Sequence, residues 1–269
     1  MSKHKNILFK LPKITFPVLL LLLLLLCFTS SAFAEGEREK QLSLEVYPQL
    51  FLDDDYTVQG NIGIDREFHN ESWVTYYVKP SGTYALDHNW ALHGGLGGYY
   101  KDNNASNDNR WEVRPYVGVS HFTDWTDKWT LSSYFRVEER CFYYIGDEDS
   151  TNTTRFRFRA RATYTLDPGF VFSSWRRFTT DVEVFKSGNS DHNTTDVDAT
   201  HDYETRLVLG LERRLDDHAK LRFELGWQYK SLPSKASSSS INTVYFRLKY
   251  YPVWGSPLGN RLFYRDVEE

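Results

Sequence analysis

The sequence predicts an all-β protein: an antiparallel transmembrane β-barrel of about twelve strands, with ten as the smaller alternative, exported behind a cleaved signal peptide. Three observations predict it. The chain opens with a leucine-rich leader and has no later apolar run long enough for a helix to cross a membrane. The body alternates apolar and polar residues at period 2, the pattern of strands with one apolar and one polar face. Short Asp-containing turns alternate with longer connections rich in Asn, Asp, Ser and Thr, as the two rims of an outer-membrane barrel require. Aromatic content of 16% within only 41% hydrophobic residues fits the same reading.

The leader comes first. Residues 1–34 combine a basic start, an apolar run from Ile14 to Phe28, and the small-residue site Ala32-Phe33-Ala34 before Glu35. Cleavage is expected after Ala34, because the apolar run falls short of the ~20 residues a spanning helix needs. Its removal takes Lys3, Lys5, Lys10 and Lys13 from the 32 basic residues and moves the net charge from −4 to −8. A nucleic-acid partner, which needs a basic footprint, is therefore not expected. Cys27 also leaves, so Cys141 stands alone, and neither an internal disulfide nor a cysteine-based metal cluster is expected.

Strands are then read at 42–51, 56–68, 73–86, 90–100, 110–122, 129–145, 154–166, 170–186, 201–214, 219–230 and 241–251. The clearest is Arg155-Phe156-Arg157-Phe158-Arg159-Ala160-Arg161, where every arginine falls on one face and every apolar residue on the other. Leu221 to Lys230, Val244 to Tyr250 and Tyr203 to Leu207 repeat the dyad. Turns are placed at Leu52-Asp53-Asp54-Asp55, Leu86-Asp87-His88-Asn89, Phe122-Thr123-Asp124, Leu166-Asp167-Pro168-Gly169 and Leu215-Asp216-Asp217-His218. Longer connections run from Lys101 to Asn109, Gly146 to Thr153, Ser187 to Thr200 and Ser231 to Ser240. Gly94-Gly95 and Gly97-Gly98 read as places of bending or close approach, and Trp125 and Trp129 as anchors of one rim.

The chain thus divides into a signal peptide at 1–34, a barrel at 35–251 and a C-terminal extension at 252–269. Eleven segments conflict with the even strand numbers of bacterial single-chain barrels. Either 42–51 flanks a ten-strand barrel, or Arg261-Leu262-Phe263-Tyr264-Arg265 in the extension completes twelve, and twelve is the expectation. Alternation alone leaves open a soluble lipocalin-like barrel, whose apolar face would point inward.

With the apolar face outward, the lumen is expected to be lined by Arg136, Arg140, Arg155, Arg157, Arg159, Arg161, Arg206, Arg222 and Arg247. Their acidic partners would be Glu112, Glu138, Glu183, Glu204 and Glu224. Guanidinium groups two residues apart on a strand lie about 7 Å from one another, a spacing that lets a carboxylate or phosphate pass between bidentate sites. Interleaved Arg and Glu can instead neutralise one another and close the lumen. No catalytic residue is predicted. Ser120 and His121 are neighbours and point to opposite faces, and His93, His201 and His218 lack an evident serine and acid. Asp53-Asp54-Asp55 and Asp147-Glu148-Asp149 lack the ligand spacing of a calcium loop, so no metal and no cofactor is expected.

The run Arg136-Val137-Glu138-Glu139-Arg140, followed by Arg155-Phe156-Arg157-Phe158-Arg159, resembles the DUF2490 family of uncharacterised outer-membrane barrels, whose strands carry a similar Arg-x-Glu-x-Arg and Arg-x-Arg signature. More distantly the chain looks like the oligogalacturonate-specific porins, small monomeric barrels with an arginine-lined lumen that passes acidic sugars. These resemblances imply an outer-membrane protein of a Gram-negative-type bacterium, monomeric by default. Its partners would be outer-membrane lipid, the barrel-assembly machinery and small acidic solutes. The function expected is a channel or binding barrel for small anionic solutes. A sealed structural or partner-binding barrel is the alternative, and a lipid-modifying enzyme a more remote one.

Overall fold

Successive side chains of a strand point to opposite faces, so each alternating segment must commit one set to the inside of the curved sheet. In the computed structural model the charged set is inside. Arg222, Glu138 and Glu224 are nearly inaccessible, whereas Val117 (66%), Trp111 (53%) and Ile62 (53%) stand out on the exterior. This inversion of the usual protein interior excludes the lipocalin-like alternative and is the arrangement that a hydrocarbon surrounding demands.

The structure describes residues 37–68, 73–103, 109–145, 150–166, 175–188, 203–215, 218–231 and 240–255. The leader and Arg261 to Arg265 lie outside them. Fourteen strand segments are present: β1 (Glu37–Val46), β2 (Gln49–Phe51), β3 (Tyr56–Gln59), β4 (Ile62–Phe68), β5 (Trp73–Val78), β6 (Ser81–Ala85), β7 (Trp90–Asn103), β8 (Arg110–Asp124), β9 (Trp129–Tyr144), β10 (Ser150–Thr165), β11 (Trp175–Gly188), β12 (Tyr203–Arg214), β13 (Ala219–Ser231) and β14 (Ser240–Trp254). Six of them are halves of three interrupted staves. Val46 pairs with Tyr250 and Gln49 with Val253, so β1 and β2 keep one register along β14. The register likewise carries through from β3 to β4 and from β5 to β6. The breaks fall at Pro48, at Gly60-Asn61 and at Lys79-Pro80, where two residues lack a backbone N–H. They are bridged from Gly60 N to Pro48 O (2.9 Å), Asn61 N to Lys79 O (3.0 Å) and Lys79 N to Asn61 O (2.8 Å).

The barrel therefore has eleven staves, not twelve or ten. Consecutive staves are antiparallel, so in an odd ring the first and last run the same way, and β1 closes on β14 as a parallel pair from Glu37↔Ile241 to Val46↔Tyr250. The segment read as 42–51 is neither flanking nor surplus. It is the closing stave, and no strand from the extension is needed to complete the ring. β14 also passes through Pro252 to Trp254 instead of stopping at 251.

Register fixes the size of the ring. Hydrogen-bonding paths leaving Leu44 in opposite directions, one through Ile64, Tyr76, Tyr100, Trp111 and Tyr143, the other through Leu248, Phe223, Leu211 and Phe178, meet β10 at Ser150 and Tyr164, fourteen residues apart. That even shear keeps the inward and outward sets in phase around an odd ring. With eleven staves it corresponds to a strand tilt of about 44° and a backbone diameter of about 22 Å.

Aromatic pairs mark both rims on the outside. Tyr56 stacks on Tyr84 (4.5 Å) and Trp129 lies by Tyr164 (4.9 Å) at the short-turn rim, while Tyr100 meets Trp111 (4.8 Å) toward the other. In the turns, the Asp53 carboxylate accepts the N–H groups of Asp55 (2.8 Å) and Tyr56 (2.7 Å). Asp87 does the same for Asn89 (2.6 Å) and Trp90 (2.8 Å), and these donors hold its carboxyl below the ordinary aspartate range. The third turn lies at 125–128, beyond Phe122-Thr123-Asp124, which belong to β8, and there Thr126 takes this part, accepting from Lys128 and Trp129.

Candidate functional site: the charged lumen

All the arginines and acids predicted for the lumen face inward. Arg136, Glu138 and Arg140 come from β9, Arg155 to Arg161 from β10, and Glu112 from β8. Glu183 comes from β11, Glu204 and Arg206 from β12, Arg222 and Glu224 from β13, and Arg247 from β14. Cross-strand register sets Arg155 opposite Glu138, Arg159 opposite Glu183, Arg161 opposite Asp181, Arg206 opposite Glu183, and Glu224 opposite Arg247.

The charges form a chain of shared partners. Glu112 accepts two bonds from Arg140 (2.6 and 3.2 Å) and also binds Arg114. Glu138 is held by Arg136 (2.5 Å) and by Arg155. Glu183 pairs with Arg157 at 2.6 Å, with Arg206 and Arg159 farther off at 3.8 and 3.9 Å. Asp181 receives both arms of Arg161 (2.5 and 2.8 Å) with Arg222 at 3.6 Å. Glu204 joins Arg206 (2.5 Å), and Glu224 gathers Arg222 (3.1 Å), Lys249 (3.0 Å) and Arg247 (3.8 Å). Rings steady the guanidinium planes: Phe185 lies 4.7 Å from both Arg155 and Arg206, and Tyr134 lies 5.2 Å from Arg159.

Inward glycines let large rings lie flat against the wall. Gly226 is paired with Tyr245 across the strands, and a Cβ there would overlap the tyrosine ring. Gly95 stands in the same relation to Tyr116. Gly95 and Gly97 thus serve close approach, one of the two roles read for the stretch, whereas a Cβ on Gly94 or Gly98 would meet only ordinary contacts.

Between the walls lies a cavity of about 170 Å³. Its lining includes twelve Lys and Arg against seven Asp and Glu, a surplus of five cations in a chain whose net charge is −4. Glu112, Glu138 and Arg222 stand behind that lining, and counting them leaves a surplus of four. Toward the short-turn rim the inward face of β6 to β8 becomes neutral, with Ala85, Ala91 and Phe122 packed together, whereas on β11 to β13 Glu212 pairs there with Lys220 (3.1 Å) and Arg177 (3.8 Å).

Two inward features escaped the sequence. Glu45, Asp65, Glu67 and Lys79 also line the cavity, on staves whose alternation was read but whose polar face was not followed. His93 Nε2 lies 2.8 Å from Ser120 Oγ and its Nδ1 lies 3.1 Å from Thr83 Oγ1, a contact between adjacent staves that 27 residues of sequence separate. The third member is a hydroxyl, not a carboxylate, and neither His93 nor Ser120 lines the cavity. Of the acidic clusters, Asp53 spends its carboxylate on its own turn, and Asp147 to Asp149 lie outside the described residues.

Comparison with solved structures finds a NanC porin, 14% identical with a TM-score of 0.42 over 73% of this chain and 86% of that one. It also finds a KdgM porin, 12% identical with a TM-score of 0.32 over 69% and 89%. No curated protein matches. The family model described as a protein of unknown function, DUF2490, matches residues 41–240, and the chain belongs to that family.

Proposed function

We propose that the protein is an outer-membrane barrel whose lumen passes or binds small anionic solutes. The single observation that carries this reading is the surplus of cations around the luminal cavity, in a barrel whose exterior is apolar. Rings of Arg and Lys favour anions in pores because a solute carboxylate or phosphate exchanges its water for preoriented donors. The shared ion pairs let a solute replace an internal carboxylate at an arginine instead of finding a bare charge, so transit need not leave any guanidinium unpaired. The outward band between aromatic rims is the surface for lipid, and with a cleaved leader the chain would reach the outer membrane through the periplasm and the barrel-assembly machinery, as a monomer.

The test is single-channel conductance of the refolded protein in a planar bilayer under a salt gradient. Discrete steps with an anion-selective reversal potential are expected, and replacing Arg157 and Arg159 with serine should weaken that selectivity in a barrel that still shows heat-modifiable migration. A folded, heat-modifiable protein that conducts nothing would favour the sealed barrel instead.

A further inference from the structure

The charges lining the cavity are sorted by wall. β8, β9 and β10 contribute seven arginines to it and no acid, while β1 and β4 contribute three acids, Glu45, Asp65 and Glu67, and no base. In the ring order, β10 is five places from β1 in one direction and five from β4 in the other, so it stands diametrically across from their seam.

Depth agrees as well. A path perpendicular to tilted staves climbs in one direction and descends in the other, so the true level on the far wall lies between its two arrival points. With the shear of fourteen, the part of β10 level with Asp65 falls about Arg155 and Arg157, and the part level with Glu45 falls between Arg157 and Arg159. Within the acidic wall Asp65 receives the Tyr77 hydroxyl at 3.3 Å, and Glu45 accepts from the Tyr47 hydroxyl (2.6 Å) and Asn61 Nδ2 (3.1 Å) with Arg247 at 3.6 Å, while both acids still line the cavity.

We propose that this lumen selects small dipolar solutes, molecules carrying an anionic and a cationic end, which cross with the carboxylate or phosphate on the β8–β10 wall and the ammonium on the β1–β4 wall. This rests on the channel reading and narrows its substrate class. A field across the bore does no net work on a simple anion's passage. It orients a dipole, so both ends find counter-charges at once and the solute loses less on leaving water.

The experiment compares three solutes of one size in proteoliposomes: diglycine as zwitterion, N-acetylglycine amide as neutral molecule and N-acetylglycinate as anion. Diglycine should permeate about fivefold faster than the neutral amide, the factor for one added charge contact at water-like screening. In the double variant Asp65→Asn with Glu67→Gln that advantage should shrink toward parity while N-acetylglycinate flux holds or rises. Equal rates for diglycine and the amide in a conducting channel would overturn the dipolar proposal and leave the anion channel standing, as would an advantage untouched in the folded double variant. Absence of all conductance in the folded wild-type protein overturns both readings.

Discussion

Glu138 is the carboxylate on which the basic wall depends most. It is 1% exposed, sits opposite Arg155 in the β9–β10 register, and binds Arg136 at 2.5 Å as well as Arg155. Glu138→Gln keeps the volume but removes the carboxylate that lies between two guanidinium groups, leaving Arg155 with Glu204 at 3.8 Å. Breaking a buried pair by removing one partner costs about 3–5 kcal/mol, chiefly because the remaining charge is left uncompensated. Here Arg136 loses its closest carboxylate and Arg155 keeps the longer contact to Glu204, and luminal water relieves part of the cost, so we expect a loss of about 3 kcal/mol. Removing a cation instead should cost less, because in Arg155→Gln the carboxylate keeps Arg136. The double variant Glu138→Gln, Arg155→Gln should then be more stable than Glu138→Gln alone, a coupling measurable as a double-mutant cycle. Urea unfolding in lipid vesicles, followed by the fluorescence of the eight tryptophans, reads all three. A Glu138→Gln barrel within about 0.5 kcal/mol of wild type would refute the view that the internal acids hold the arginine wall in place.

Two further outcomes follow from the ring itself. Because β1 starts and β14 ends at opposite rims, single cysteines replacing Lys40 and Trp254 in a Cys141→Ser background should be labelled by a membrane-impermeant maleimide from opposite sides; labelling from the same side would refute the odd, parallel-closed ring. Gly226→Ala places a Cβ where the Tyr245 ring lies, and should cost about 1–3 kcal/mol by overpacking or push the ring into the bore and lower conductance, and Tyr245→Ala should relieve either effect. An alanine variant with wild-type stability and conductance would show that the ring does not need the glycine.

The staves and the facing of their arginines were legible because both follow from one local rule, alternation at period 2, which needs no knowledge of partners. Arg155 to Arg161 shows this best: four inward arginines from four odd positions. What depends on ring closure was not legible. The sorting of Glu45 and Asp65 against β10 exists only once shear and stave number are known, and the His93–Ser120 contact arises only from β7–β8 register. Proline at 48 and 80 was a readable sign of interruption, since a missing N–H removes a ladder bond, yet the continuity of register across each gap could come only from pairing.

The strand count shows how a general rule can displace a correct local reading. Eleven segments are present in the alternation, and only the even-number habit of bacterial barrels argues for a twelfth. The physics behind that habit is weaker than the habit: an even ring lets every neighbour be antiparallel, whereas an odd ring needs one parallel pair, which is only slightly less stable per residue. Here that pair runs ten residues in unbroken register, from Glu37 to Val46 along β14. It resumes beyond Pro48, which lies level with Pro252 on the neighbouring stave, so the one gap in the seam falls where neither chain could donate a hydrogen bond. Closing the ring in this way brings β1 and its Glu45 to the wall facing β10. The parallel seam and the transverse sorting of charge are therefore two consequences of the same odd number.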